Sequence, residues 1–228
     1  MKTRERKYLR RCLGAYVVTL NLCGVVLLWG VSSVVAVETA SASSNTVQEQ
    51  TVEALLEKGI AFAKKGNDQD ALSVFNDLIH RFEASKDLTI QRLTARAFFY
   101  KVTTLFHQGN RQEAVSVSDE LVRRFGNSKD LTIQQYLTGT LGFKGDALCA
   151  LQHYKEAIAA YDDLIGRFSN SKDPVIRYGV ARALITKGHT LSDFLQHEEA
   201  NAVGDKSVHV LESLQDIKVP RHSVGFIQ

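Results

Sequence analysis

In the stretch 155–165, apolar side chains fall at Ala157, Ile158, Tyr161, Leu164 and Ile165, separated by charged or small residues. Spacings of three and four residues place all five on one stripe of an α-helix. A different pattern governs the N-terminal end, where residues 13–37 run without a single charge. Between these extremes the chain holds two prolines and fifteen glycines in 228 residues, which leaves room for long uninterrupted helices. The pattern predicts an all-α protein.

The apolar stripes repeat. Arg81-Phe-Glu-Ala-Ser-Lys-Asp-Leu-Thr-Ile-Gln91 returns as Arg124-Phe-Gly-Asn-Ser-Lys-Asp-Leu-Thr-Ile-Gln134, identical at nine of eleven positions. It returns again as Arg167-Phe-Ser-Asn-Ser-Lys-Asp-Pro-Val-Ile-Arg177, and each step is 43 residues. At the same spacing come Lys58, Lys101, Lys144 and Lys187, and an acid followed by alanine at Ala71, Ala114, Ala157 and Ala200. In the third loop copy, Asp173 before Pro174 reads as an N-cap acceptor ahead of proline at the first helical position. By equivalence Asp87 and Asp130 cap helices that start near Leu88 and Leu131, each about 20 residues long and therefore roughly 30 Å. Tight loops are expected at 65–68, 109–111 and 152–154.

With Gly59, Phe62, Gly66, Ala71, Phe75 and Leu78 in the first copy, the chain resembles the tetratricopeptide repeat. Val102, Leu105, Gly109, Ala114, Ser118 and Leu121 follow in the second copy, and Gly145, Leu148, Gln152, Ala157, Tyr161 and Leu164 in the third. The fourth begins with Gly188, Leu191, Leu195 and Ala200 and then degrades. The resemblance implies a right-handed α-α superhelix, a solenoid of about four helix-turn-helix repeats over 51–217. Its units span about 51–87, 88–130, 131–173 and 174–217, with a C-terminal tail at 218–228. Two departures stand out. The period exceeds the family's usual length of about 34, and a lysine occupies a position where the family favours an apolar residue. The recurring lysines suggest a ladder of ion pairs to the recurring acids Asp77, Glu120 and Asp163. The recurring Arg81, Arg124 and Arg167 suit helix C-termini, where a cation meets exposed carbonyls.

Charge changes the picture at the N-terminus. Lys2, Arg4, Arg6, Lys7, Arg10 and Arg11 precede the apolar run, and small residues follow it. Residues 1–37 therefore read as a targeting segment, either a signal peptide cleaved after Ala36 or Ala42 or an uncleaved membrane anchor. The basic flank stays on the cytoplasmic side, so the rest is expected to be exported. That points to the periplasm of a bacterium, soluble or anchored to the inner membrane through residues 13–37. Residues 38–50, poor in large apolar groups, read as a flexible linker. Leu20-Asn21-Leu22 before Cys23 lacks the small residue that lipidation requires. Without residues 1–36 the net charge of +3 becomes −2, which argues against nucleic acid as a partner.

Candidate chemistry is sparse. The seven histidines share no repeat position, and His197-Glu198-Glu199-Ala200-Asn201 lacks the second histidine of a zinc-protease helix. No phosphate loop and no Gly-x-Ser-x-Gly elbow is present. Cys149, the one cysteine outside the targeting segment, reads as an inert thiol in a helix. The expectation is a protein that is not an enzyme and takes neither metal nor cofactor.

What the resemblance implies about function is protein binding. In this family the groove is usually lined by the first helix of each pair. Transferring its positions gives Arg96, Phe99, Thr103, Phe106 and His107 from the second unit and Asp146 from the third. Arg182, Ile185, His189 and Asp193 come from the fourth. Such a lining suits an extended peptide or a partner helix, with Arg96 and Arg182 as anchors, while Gly139 and Gly142 clear the middle for partner backbone. The alternative is a structural, membrane-tethered or self-associating adaptor that uses the ends of the solenoid.

Overall fold

The structure is a computed structural model. It describes residues 46–193 and, beyond them, positions 203, 205–207, 210 and 212. The targeting segment 1–37, most of the fourth unit's second helix and the tail 218–228 lie outside the described residues. The chain divides into two compact units after Thr51. Of the first, residues 46–51 are described, and they are helical, with Thr51 Oγ1 donating to Val47 O at 2.8 Å. Of the linker expected over 38–50, residues 46–50 are helical and the rest lie outside the described residues. Gln48, Glu49 and Gln50 are good helix formers, and their polarity had read as disorder.

The second unit is a succession of helices: α1 (52–64), α2 (Asp68–Phe82), α3 (Leu88–His107), α4 (Arg111–Phe125), α5 (Leu131–Ala150), α6 (Tyr154–Phe168) and α7 (Pro174–Asp193). The separate positions described after 193 are helical too, and no strand occurs among the described residues. The architecture fits a solenoid of helix pairs. From α2 to α7 each helix contacts its sequence neighbours, α1 meets α2 at Gly59 and Phe75, and α3, α5 and α7 also touch one another in order.

The loop before each longer helix is a hydrogen-bonded cap. Asp87 Oδ1 accepts from Ile90 N at 3.0 Å, Ser85 Oγ accepts from Asp87 N at 3.2 Å, and Gln91 Nε2 donates to Ser85 O at 3.1 Å. Asp130, Ser128 and Gln134 repeat all three bonds. Asp173 and Ser171 repeat two, and Arg177 stands where the glutamine was. These bonds satisfy N–H groups that a helix start leaves without a partner.

Within a pair, the short turn is closed by a left-handed residue. Gly66, Gly109 and Gln152 hold φ of 77°, 85° and 60° at equivalent positions. The next residue's N–H returns to the carbonyl of Phe62, Leu105 or Leu148 at 2.9–3.0 Å, the bond that ends a helix in a Schellman motif.

Packing between the two helices is a matter of complementary volumes. A Cβ on Gly59 would lie 2.5 Å from Phe75, and one on Gly145 would lie 2.3 Å from Tyr161. Where the second pair carries the larger Val102, the facing position is the small Ser118, and both are fully buried. The departures Val102 and Ser118 thus compensate each other.

The lysine ladder takes a different form from the expected one. Lys144 Nζ meets Asp119 at 2.6 Å and Lys187 Nζ meets Asp162 at 2.9 Å, each on the preceding unit. For Lys101 the equivalent position on the preceding unit is Asn76, which has no charge, and burial pushes its ammonium below the usual range against the nearby charges of Glu113 and Glu120. Lys58 lies over the ring of Phe62 at 5.8 Å. The acids expected to serve the lysines belong instead to the arginines. Arg81 holds Asp77, Arg124 holds Glu120 and Arg167 holds Asp163 one helical turn away, at 2.6–2.7 Å. A one-residue offset is a rotation of about 100° on a helix, enough to send one acid to its own helix and the next to a neighbour.

Candidate protein-binding surface

The helices α3, α5 and α7 carry all ten residues transferred by the resemblance, and the structure sorts seven of them into three groups and leaves three exposed on α7. Arg96 is half-buried and paired, its Nη2 2.9 Å from Glu57 Oε1 and its guanidinium 5.7 Å from the ring of Tyr100. Thr103 Oγ1 donates to the Tyr100 carbonyl at 2.9 Å.

The second group is an aromatic seam between α3 and α5. Phe99 is 2% exposed and meets Tyr100, Tyr136 and Phe143 at 5.6–6.0 Å. Its role as a partner contact is therefore corrected: the ring packs over Gly139, so that glycine opens no space for partner backbone. Helix periodicity alone cannot say whether an aromatic faces a neighbour or the groove. Phe106 is half-buried, 5.5 Å from Phe143, with Arg111 stacked on it at 5.3 Å. Exposed His107 stands edge-on to the same two rings.

Third comes a polar knot between α5, α6 and α7. Asp146 accepts from the Tyr161 hydroxyl at 2.7 Å and from Arg182 Nη2, while the Arg182 guanidinium stacks on Phe143 at 5.3 Å. Burial first, and then the charge of Asp146, pushes the Tyr161 phenol far above its ordinary range. Arg96 and Arg182 are thus engaged inside the fold, and a charge reversal at either would disturb its own carboxylate partner first. Cys149 is half-buried beside the knot, with Sγ 3.1 Å from Thr190 Oγ1 and 3.7 Å from the Tyr161 hydroxyl.

Gly142 is the glycine that leaves space. The nearest atoms to a Cβ there are Arg182 Nη1 at 3.6 Å and Leu164 Cδ1 at 4.0 Å. A cleft of about 30 Å³ lies beside it, lined by Asp146, Tyr178 and Arg182 among others. A water needs roughly 10–15 Å³, so the cleft admits water and not a substrate. Ile185, His189 and Asp193 are exposed on α7.

Several members of this surface escaped the sequence reading: Glu57, Tyr100, Tyr136, Phe143 and Tyr178. Tyr136 is buried enough that its phenol is pushed up to about 12 despite the nearby Arg96. Tyr100 sits four residues beyond Arg96, a spacing that marks helix neighbours and could have identified it. Among the described residues, no group of His, Cys, Asp and Glu could hold a metal ion, and no helix is long and apolar enough to cross a membrane.

Comparison with known proteins bears on the first helix pair. Residues 53–85 match the tetratricopeptide repeat family, and no curated protein matches the chain. Repeats of this family generally bind protein partners and are typically scaffolds without enzymatic activity. The matched segment holds α2 and most of α1, including Gly59 against Phe75 and the left-handed Gly66. By that match and that packing, residues 53–85 are similar to a tetratricopeptide repeat.

Proposed function

We propose that the chain is a protein–protein interaction module of the bacterial cell envelope. It is exported by residues 1–37 and holds a peptide or partner helix on the concave face of a right-handed superhelix. The observation that carries this reading is the exposed rim on α3 and α7. His107 and half-buried Phe106 on one side, and Ile185, His189 and Asp193 on the other, flank an Arg182–Asp146 pair that is only partly covered. Aromatic and cationic groups around a desolvated centre are the composition of interface anchors. The fixed helices hold the surface in place, so little ordering is needed on binding.

A photocrosslinking residue at His107, Ile185 or His189 in the native host tests the reading. Adducts with one discrete partner are expected from these positions and not from Ser116 or Asp162 on the second helices of the pairs. Adducts from Ser116 or Asp162 alone would place binding on the opposite face.

A further inference from the structure

We propose that the edge carrying the Ser-Lys-Asp loops is a docking surface for a membrane with anionic headgroups. Helices α3, α5 and α7 run parallel, so their starts share one edge. The contacts Arg92 to Asp130, Gln135 to Asp173 and Phe99 to Gly139 join positions at similar heights of successive helices. On that edge Lys86, Lys129 and Lys172 are exposed at equivalent places, and among the described residues none of the three has an ion-pair partner.

The neighbouring carboxylates are occupied. Asp87, Asp130 and Asp173 each accept a helix N–H, Asp130 also takes Arg92 at 2.7 Å, and Asp173 takes Gln135 at 3.2 Å. Glu83 is held by Arg124 at 2.8 Å. Lys86, Lys129 and Lys172 thus present a row of exposed ammonium groups without an ion pair of their own, one per repeat, beside helix N-termini whose dipoles add positive potential.

Two large apolar side chains accompany the lysines. Leu88 and Leu131, the first residues of α3 and α5, are 46% and 49% exposed. They stand out from the edge. Lysines beside protruding leucines match the layers of a bilayer interface, phosphates outside and acyl chains beneath. An acidic protein would answer the charges alone and would leave the leucines in water. The same chain carries the apolar run 13–37. The lipid preference belongs to the edge itself, and only delivery to a bilayer rests on the proposed role of that run.

The test uses the full chain with Cys12, Cys23 and Cys149 replaced by serine and reconstituted into vesicles. An environment-sensitive fluorophore is attached through Leu131→Cys, or through Gln69→Cys at the opposite edge as a control. Vesicles of phosphatidylcholine alone are compared with vesicles containing one part in three of phosphatidylglycerol. A blue shift at position 131 is expected only with the anionic lipid, and none at position 69. High salt should remove it, because exposed charges are screened. The triple variant Lys86→Glu/Lys129→Glu/Lys172→Glu should weaken docking on the order of 100-fold. The neutral Lys→Gln triple provides a second variant, and far-UV circular dichroism checks both folds. An equal shift in both vesicle types, or one indifferent to both triples, would overturn the proposal. So would binding of soluble polyglutamate without any response to anionic vesicles. Flotation with neutral vesicles reads the apolar run separately. If the run fails to hold the chain there, charge-dependent flotation on anionic vesicles decides the edge.

Discussion

The ring of Phe99 on α3 lies over Gly139 on α5, where an added Cβ would come within 2.7 Å of Cε2. One seam later the arrangement inverts: Gly142 is on α5 and the large side chain, Arg182, comes from α7. Two glycines three residues apart should therefore answer the same substitution with opposite signs. Gly139→Ala is expected to cost about 1–3 kcal/mol through overpacking. Gly142→Ala, with nothing nearer than 3.6 Å, should be neutral or stabilise by up to about 1 kcal/mol through helix propensity. Urea unfolding followed by circular dichroism separates the two, and equal losses would mean that Phe99 does not sit where described.

The pair turns offer a backbone test. A Cβ on Gly66 would meet nothing within 4 Å, so its φ of 77° is the whole constraint. Gly66→Ala should cost about 1 kcal/mol, because L side chains disfavour the left-handed region. At the equivalent position Gln152 already bears that strain at φ 60°, and Gln152→Gly should raise stability by roughly 0.5 kcal/mol after the added chain entropy. Thermal melting of the two single variants is the measurement, and a melting point that falls for Gln152→Gly would count against the turn geometry.

Acid should weaken the caps in a defined window. The hydrogen bond from Arg92, followed by that from the Ile133 N–H, holds the Asp130 carboxyl below its ordinary range. Its folded value is thus below its unfolded value, so the folded state binds fewer protons. The stabilisation is complete above the unfolded value, near pH 4, and disappears as pH falls through the folded value. Asp130→Asn keeps an N-cap acceptor and removes the charge. It should cost under about 1 kcal/mol at pH 7, since the pair is partly exposed. Below pH 4 its stability should converge on that of the wild type. Asp130→Ala loses the cap as well and should cost about 1–2 kcal/mol at pH 7.

Lys101 can be given the partner its equivalents have. Asn76→Asp places a carboxylate where Asp119 and Asp162 serve Lys144 and Lys187. The variant should gain a few tenths to about 1 kcal/mol, and the gain should shrink in high salt. A melting temperature unchanged at low salt would show that Lys101 and position 76 are not equivalent to those pairs.

The sequence by itself determined the elements and their order. The Ser-Lys-Asp loops placed the starts of α3, α5 and α7 at Leu88, Leu131 and Pro174, because an N-cap acts within three or four residues and is fully written in them. The left-handed turn at Gly66 and Gly109 was legible for the same reason. Tertiary structure decided what each helix residue faces. Phe99 went into a seam, Arg96 and Arg182 took Glu57 and Asp146, and Lys144 and Lys187 found acids one position away from the ones expected. Repeat spacing fixes the height of a residue along its helix and only loosely its angle around it. The angle is settled when neighbouring volumes interlock, as at Phe99 with Gly139 and at Val102 with Ser118, and those partners lie tens of residues apart or on another helix.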